Sequence, residues 1–110
     1  MLSFGADDFE GTRLRDSRNI LAVFYATWCP FCRRFLNLFE TAMADKTDPL
    51  GARVDISDDE NPLWETFGLE IVPSLIGFRD GVSIVRKNGS AGVGLDMLEL
   101  EDALRRMRRS

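Results

Sequence analysis

Ile20-Leu21-Ala22-Val23-Phe24-Tyr25-Ala26 is an unbroken apolar run of strand length, the pattern of a strand covered on both faces. Further on, the period changes. Phe35, Leu38, Phe39, Ala42 and Met43 fall at i, i+3, i+4, i+7 and i+8, one face of an amphipathic helix reaching about Ala44. The segment KTDPLG breaks it, and residues 52–56 (ARVDI) read as a second strand followed by an acidic loop, SDDEN. Asn61-Pro62 resembles an N-cap with proline at the first helical position, opening a short helix through about Phe67. Residues 75–79 and 82–86 are apolar runs on either side of Asp80-Gly81, a strong hairpin signal that predicts antiparallel neighbours. Asp96 with Glu99 resembles a capping box, opening a last helix with Met97, Leu100, Leu104 and Met107 as its buried face. The first nineteen residues are weakly patterned, and Gly11 interrupts any helix from Asp7 to Arg15.

The order is therefore a weakly marked N-terminal helix and a strand, then helix, strand, helix, a hairpin and a closing helix. Alternation followed by a hairpin predicts an α/β chain with a central mixed sheet flanked by helices. At 110 residues it is expected to form a single domain, residues 1–110, with a core that needs no disulfide staples.

Composition removes several function classes. The longest apolar stretch is strand-sized, so no membrane span is expected. MLSFGADDFEG lacks the basic start and apolar run of a signal peptide, which makes the cytoplasm the expected compartment. A net charge of −4 argues against a nucleic-acid binder. Arg105, Arg106, Arg108 and Arg109 read instead as cations at a helix C-terminus, where the backbone dipole favours them. The chain has no histidine, which eliminates Ser–His and Cys–His catalysis and every histidine-containing zinc site. No metal is expected: two thiolates supply half of a tetrahedral site, and no second CxxC completes it. The acidic run at residues 55–60 lacks the glycine and terminal glutamate of a calcium loop and reads as a solvated loop.

Both cysteines of the chain lie in TWCPFCRR, residues 27–34. One close pair in a reducing compartment points to catalysis or metal binding before a structural staple. If Pro30 opens the helix, Cys29 becomes its N-cap and Cys32 its third residue. An N-cap side chain accepts from the second or third helical amide, and these amides and the helix dipole favour a thiolate at Cys29. Arg33 and Arg34 add positive charge if their side chains turn that way. Within a helix, Cβ atoms three residues apart are about 5–6 Å from each other. A disulfide needs roughly 3.5–4.5 Å. Placing Cys29 just outside the helix lets the sulfurs close that gap, with Cys29 as nucleophile and Cys32 resolving the mixed disulfide.

Strand, WCxxC and helix in that order resemble the thioredoxin family, over nearly the whole chain. ILAVFYATWCPFC is similar to the family's strand and active site, and NPLWETFGLEIVPSLIGFRDG to its later helix, cis-proline loop and hairpin. The resemblance implies a thioredoxin fold and a thiol-disulfide oxidoreductase that needs no cofactor. Its partners would be disulfide-containing proteins and a thioredoxin reductase or other thiol reductant, and it would act as a monomer. It implies a cis bond at Val72-Pro73, and a substrate groove bordered by Trp28, Pro30, Phe31, Val72, Pro73 and Gly89. The chain departs from the family at several positions. Pro30-Phe31 replaces Gly-Pro between the cysteines and looks like the pair in glutaredoxins. Val23 stands where thioredoxins bury an aspartate, Arg53 in place of a neighbouring lysine, and Asn37 in place of a kinking proline. Two alternatives follow: a glutathione-dependent, glutaredoxin-like reductase, and a thioredoxin-fold binding module without redox activity.

Overall fold

The apolar run that opens at Ile20 becomes a strand, Ile20–Tyr25, in which residues 20–24 are fully shielded from solvent. It is the middle of the sheet in the computed structural model, which describes residues 1–90 and 92–109. In chain order the elements are β1 (Leu2–Phe4), a 3₁₀ turn (Ala6–Asp8), β2 (Phe9–Glu10), β3 (Arg13–Leu14), β4 (Ile20–Tyr25) and α1 (Pro30–Met43). There follow β5 (Leu50–Asp55), α2 (Leu63–Thr66), β6 (Ser74–Arg79), β7 (Val82–Asn88) and α3 (Met97–Arg109). The mixed sheet runs β1-β5-β4-β6-β7, with β4 parallel to β5 and antiparallel to β6. This is the mixed sheet flanked by helices that the pattern predicts, and the thioredoxin fold that the resemblance implies.

Strand side chains alternate between faces, and this splits the apolar run of β4 between two cores. Leu21 and Val23 join Phe35, Phe39 and Met43 of α1 and Leu100, Ala103, Leu104 and Met107 of α3. Ile20, Ala22 and Phe24 join Leu63 and Phe67 on the opposite side. There Phe24 and Phe67 meet nearly edge to face, ring centres 5.3 Å apart, and Phe9 touches both.

The N-terminal segment, weakly patterned in sequence, contains no α-helix. β1 pairs parallel with β5, and β2 and β3 form a small hairpin that delivers Phe9 and Leu14 to the core. Strands this short cannot display a period.

Local signals fared well. Asp80 and Gly81 hold φ of 53° and 79°, the left-handed turn between β6 and β7. Pro62 already has helical angles, and Asn61 accepts the N–H of Leu63, the expected capping bond. Asp96 accepts from the Leu98 N–H while its own N–H donates to Glu99, the reciprocal bonding of a capping box with the second helical amide in place of the third.

Two side chains assigned to buried helix faces are not buried. Leu38 is 38% exposed and Met97 37%. Leu38 stands at the edge of the apolar arc of α1, off the row of Cys32, Phe35, Phe39 and Met43 that is buried. Met97 is the first residue of α3, ahead of the buried Leu100, Ala103, Leu104 and Met107.

Candidate active site

Pro30 is the first residue of α1, as its missing N–H suits it to be, and Cys29 is the N-cap with extended angles. The N–H of Cys32 donates to the Cys29 sulfur over 3.3 Å. On its other side, the Cys29 thiol lies 3.6 Å from the carbonyl oxygen of Val72. The nucleophile candidate thus has a donor on one flank and an acceptor on the other. Both cysteines are free thiols; Cys29 is 6% exposed and Cys32 fully buried. Burial pushes the Cys32 thiol up to about 12; a backbone contact at Ala26 opposes the rise, and the Cys29 sulfur beside it adds to it.

Val72-Pro73 is cis, as the resemblance implied; a second cis bond, Asp48-Pro49, carried no signal in the pattern. The loop that ends at Pro73 is held from β7. Gly89 donates its N–H to the Pro73 carbonyl over 3.0 Å, and a Cβ at Gly89 would stand 2.6 Å from that same oxygen. At the loop's other end, Arg86 donates to the carbonyls of Phe67 and Gly68. Gly89 is therefore a buried support beneath Pro73 and not a residue of the groove surface.

Of the other expected groove residues, Val72 and Pro73 are buried, whereas Trp28, Pro30 and Phe31 reach the surface. Trp28 is 58% exposed, Pro30 is exposed, and Phe31 is half-buried. Gly94 packs on Phe31, where a Cβ would stand 2.8 Å from Phe31 Cβ. Arg34 does not turn to the sulfurs as a source of positive charge: it donates to the Val93 carbonyl at 3.1 Å.

Sequence reasoning missed Ser57. Its hydroxyl accepts the Thr27 N–H at 2.7 Å and donates to Asp55, while its carbonyl accepts the indole N–H of Trp28 at 3.0 Å. On the same loop, the indole of Trp64 donates to the carbonyls of Ile56 and Asp58. Two tryptophans thus bind three consecutive carbonyls. The acidic loop is in part a structural brace, tying the cysteine loop to α2. An acid-serine pair just after a strand end was the one available signal.

The thioredoxin family model matches residues 2–99. The chain belongs to the thioredoxin family. It is 35% identical over 100 residues to the thioredoxin of Mycolicibacterium smegmatis, covering 89% of each chain. To the thioredoxin of Mycobacterium tuberculosis it is 31% identical over 93 residues, covering 83% of this chain and 78% of that one. Among solved structures, thioredoxin f2 of Chlamydomonas reinhardtii superposes with a TM-score of 0.79 at 16% identity, covering 100% and 98% of the two chains. A further match, at 18% identity and TM-score 0.69, covering 86% and 80%, is a complex of ferredoxin:thioredoxin reductase with thioredoxin f2.

As a thioredoxin-family protein, the chain is a thiol-disulfide oxidoreductase. Its departures from the family have structural counterparts. Val23 is fully buried among Phe35, Phe39 and Leu75, so apolar packing occupies the place of the family's carboxylate. Arg53 is turned outward, pairing with Glu40 of α1 at 3.0 Å and bonding the Ser3 hydroxyl.

Proposed function

We propose that Cys29 attacks the disulfide of a protein substrate and that Cys32 resolves the resulting mixed disulfide. The observation that carries this order is the position of the Cys29 sulfur at the helix N-terminus, 3.3 Å from the Cys32 amide. When the thiol proton leaves, that amide remains to hold the sulfur's charge. In the first step the Cys29 thiolate bonds one substrate sulfur and the other leaves as a thiolate. In the second, Cys32 gives up its proton and bonds Cys29, and the second substrate thiolate departs. Two electrons have then passed to the substrate, and a thiol reductant must return the pair to the dithiol form.

We place the substrate strand between Trp28, Pro30 and Phe31 on one side and the backbone of Val72 and Pro73 on the other, with Gly89 supporting that wall. Each chain carries the whole cysteine pair, so a monomer suffices for the cycle. A pair that must be returned to the dithiol form suits the reducing cytoplasm. We assign the reductant role to a thioredoxin reductase; a thioredoxin f2 of the same fold has been solved in complex with ferredoxin:thioredoxin reductase.

Reduction of insulin driven by dithiothreitol tests the reading. The native protein should accelerate it and Cys29→Ser should not, while Cys32→Ser should accumulate a mixed disulfide with substrate. Activity that survives Cys29→Ser would overturn the assignment. Supplying glutathione alone, in place of a thioredoxin reductase with its reductant, distinguishes the glutaredoxin-like alternative. A binding module would accelerate neither.

A further inference from the structure

The two helix residues that the sequence pattern buried and the structure did not, Leu38 and Met97, line one groove. Together with Ala42, Arg34, Asn37 and Thr41 they line a space of about 560 Å³ between α1 and the start of α3. The groove lies along the same helix that begins at the cysteine site. From Cys29, helix α1 leads through Phe31, on which Gly94 packs, to Arg34, which holds the carbonyl of Val93. Val93 is itself 59% exposed, so the way from the cysteines to the groove passes the apolar surface of Phe31 and Val93 and then the side chain of Arg34.

We propose that this groove receives apolar side chains of the same polypeptide whose disulfide is attacked, at about four residues from the attacked cysteine. The proposal rests on Cys29 being the attacking thiol. Cys29 is only 6% exposed, so a partner must lie against the surrounding surface to reach it. Leu38 is roughly 13 Å along the helix axis from Cys29 at about 1.5 Å per residue. An extended chain advances about 3.3 Å per residue, so some four residues cover that distance. The space has the size and lining of a pocket for a few side chains. A stable interface between two copies takes about 20–30 residues from each side, and six line this groove.

Three peptide disulfides test this. One has only glycine and serine around its cysteine; the others carry a Leu-Met pair four and five residues to the N-terminal or to the C-terminal side. One of the two extended peptides should be reduced with a kcat/KM roughly tenfold higher, equivalent to about 1.4 kcal/mol, mainly through KM. Leu38→Glu and Met97→Glu should each abolish that gain while turnover of the plain peptide and the Tm hold. Val82→Glu, at a residue 49% exposed at the start of β7, should keep the gain. Equal rates for all three peptides would overturn the proposal. So would a gain that persists in both Glu variants, or a concentration-dependent dimer that Leu38→Glu disperses. Reduction of the plain peptide by Cys29→Ser would overturn the assignment of Cys29 and this proposal with it, whereas the peptide comparison bears on the groove alone.

Discussion

The thiol of Cys29 and the carbonyl of Val72 are 3.6 Å apart although 43 positions separate them in the chain. One stands at the start of α1 and the other in the loop entering β6, so the site exists only where these two elements are held together. β4 does this. It leads directly into the cysteine loop and pairs with β6 from Ile20↔Phe78 to Phe24↔Ser74, beside Pro73.

Gly89→Ala should push the Pro73 loop away from Cys29, because the new Cβ would lie 2.6 Å from the Pro73 oxygen. Overpacking of this kind costs about 1–3 kcal/mol. A displacement on the order of 1 Å at a reacting centre can cost about a hundredfold in rate. Denaturant melts and insulin-reduction kinetics should therefore both fall. A variant with unchanged rate would show that the loop's position does not limit turnover.

Iodoacetamide at pH 8 should add one group to the folded, reduced protein, on Cys29, and two to the unfolded chain. Cys32 is buried, with its thiol held up to about 12. Mass spectrometry across pH reads this directly. The linked effect on stability has a definite sign. Between the unfolded thiol's value near 9 and the folded value near 12, the folded state keeps a proton that the unfolded state has lost. This contribution is fully present below pH 9 and is lost as pH rises towards 12, a fall that Cys32→Ala should reduce.

Ser57→Ala removes the hydroxyl that joins Thr27 to Asp55. Each lost hydrogen bond is worth about 0.5–1.5 kcal/mol, and the Thr27 amide would need water in its place. We expect a destabilisation of about 1–2 kcal/mol and freer motion of Trp28, read by denaturant melts and by fluorescence anisotropy of a Trp64→Phe background. Unaltered anisotropy would assign the hold on Trp28 to the Ser57 carbonyl alone.

Asp102 of α3 is paired with Lys87 of β7 and with Arg105 and Arg106 on its own helix. Lys87 first, then Arg105, lower its carboxyl to about 2. Since this is a depressed acid, its contribution is present above pH 4 and is lost as the pH falls towards 2. The Tm of the native protein should therefore drop more steeply over that window than that of Asp102→Asn. Parallel curves would mean that the cluster contributes nothing to folding.

The sequence by itself determined those features that are made among near neighbours. Pro30 after Cys29 sets the helix start and places the sulfur against the Cys32 amide, all within one turn. The Asp80-Gly81 turn, the Asp96–Glu99 capping box and the two-faced burial of β4 are likewise local. Each follows from a backbone preference or a side-chain period that neighbouring residues carry. Tertiary structure alone decided the rest. Phe9 reaches the core through strands too short to show a period. Ser57 holds Trp28 across two loops, and Gly89 supports Pro73 from another strand. Leu38 and Met97 have the spacing of buried residues, yet remain exposed. A period records which side of a helix is apolar; whether every residue on that side is covered depends on which neighbouring elements reach it.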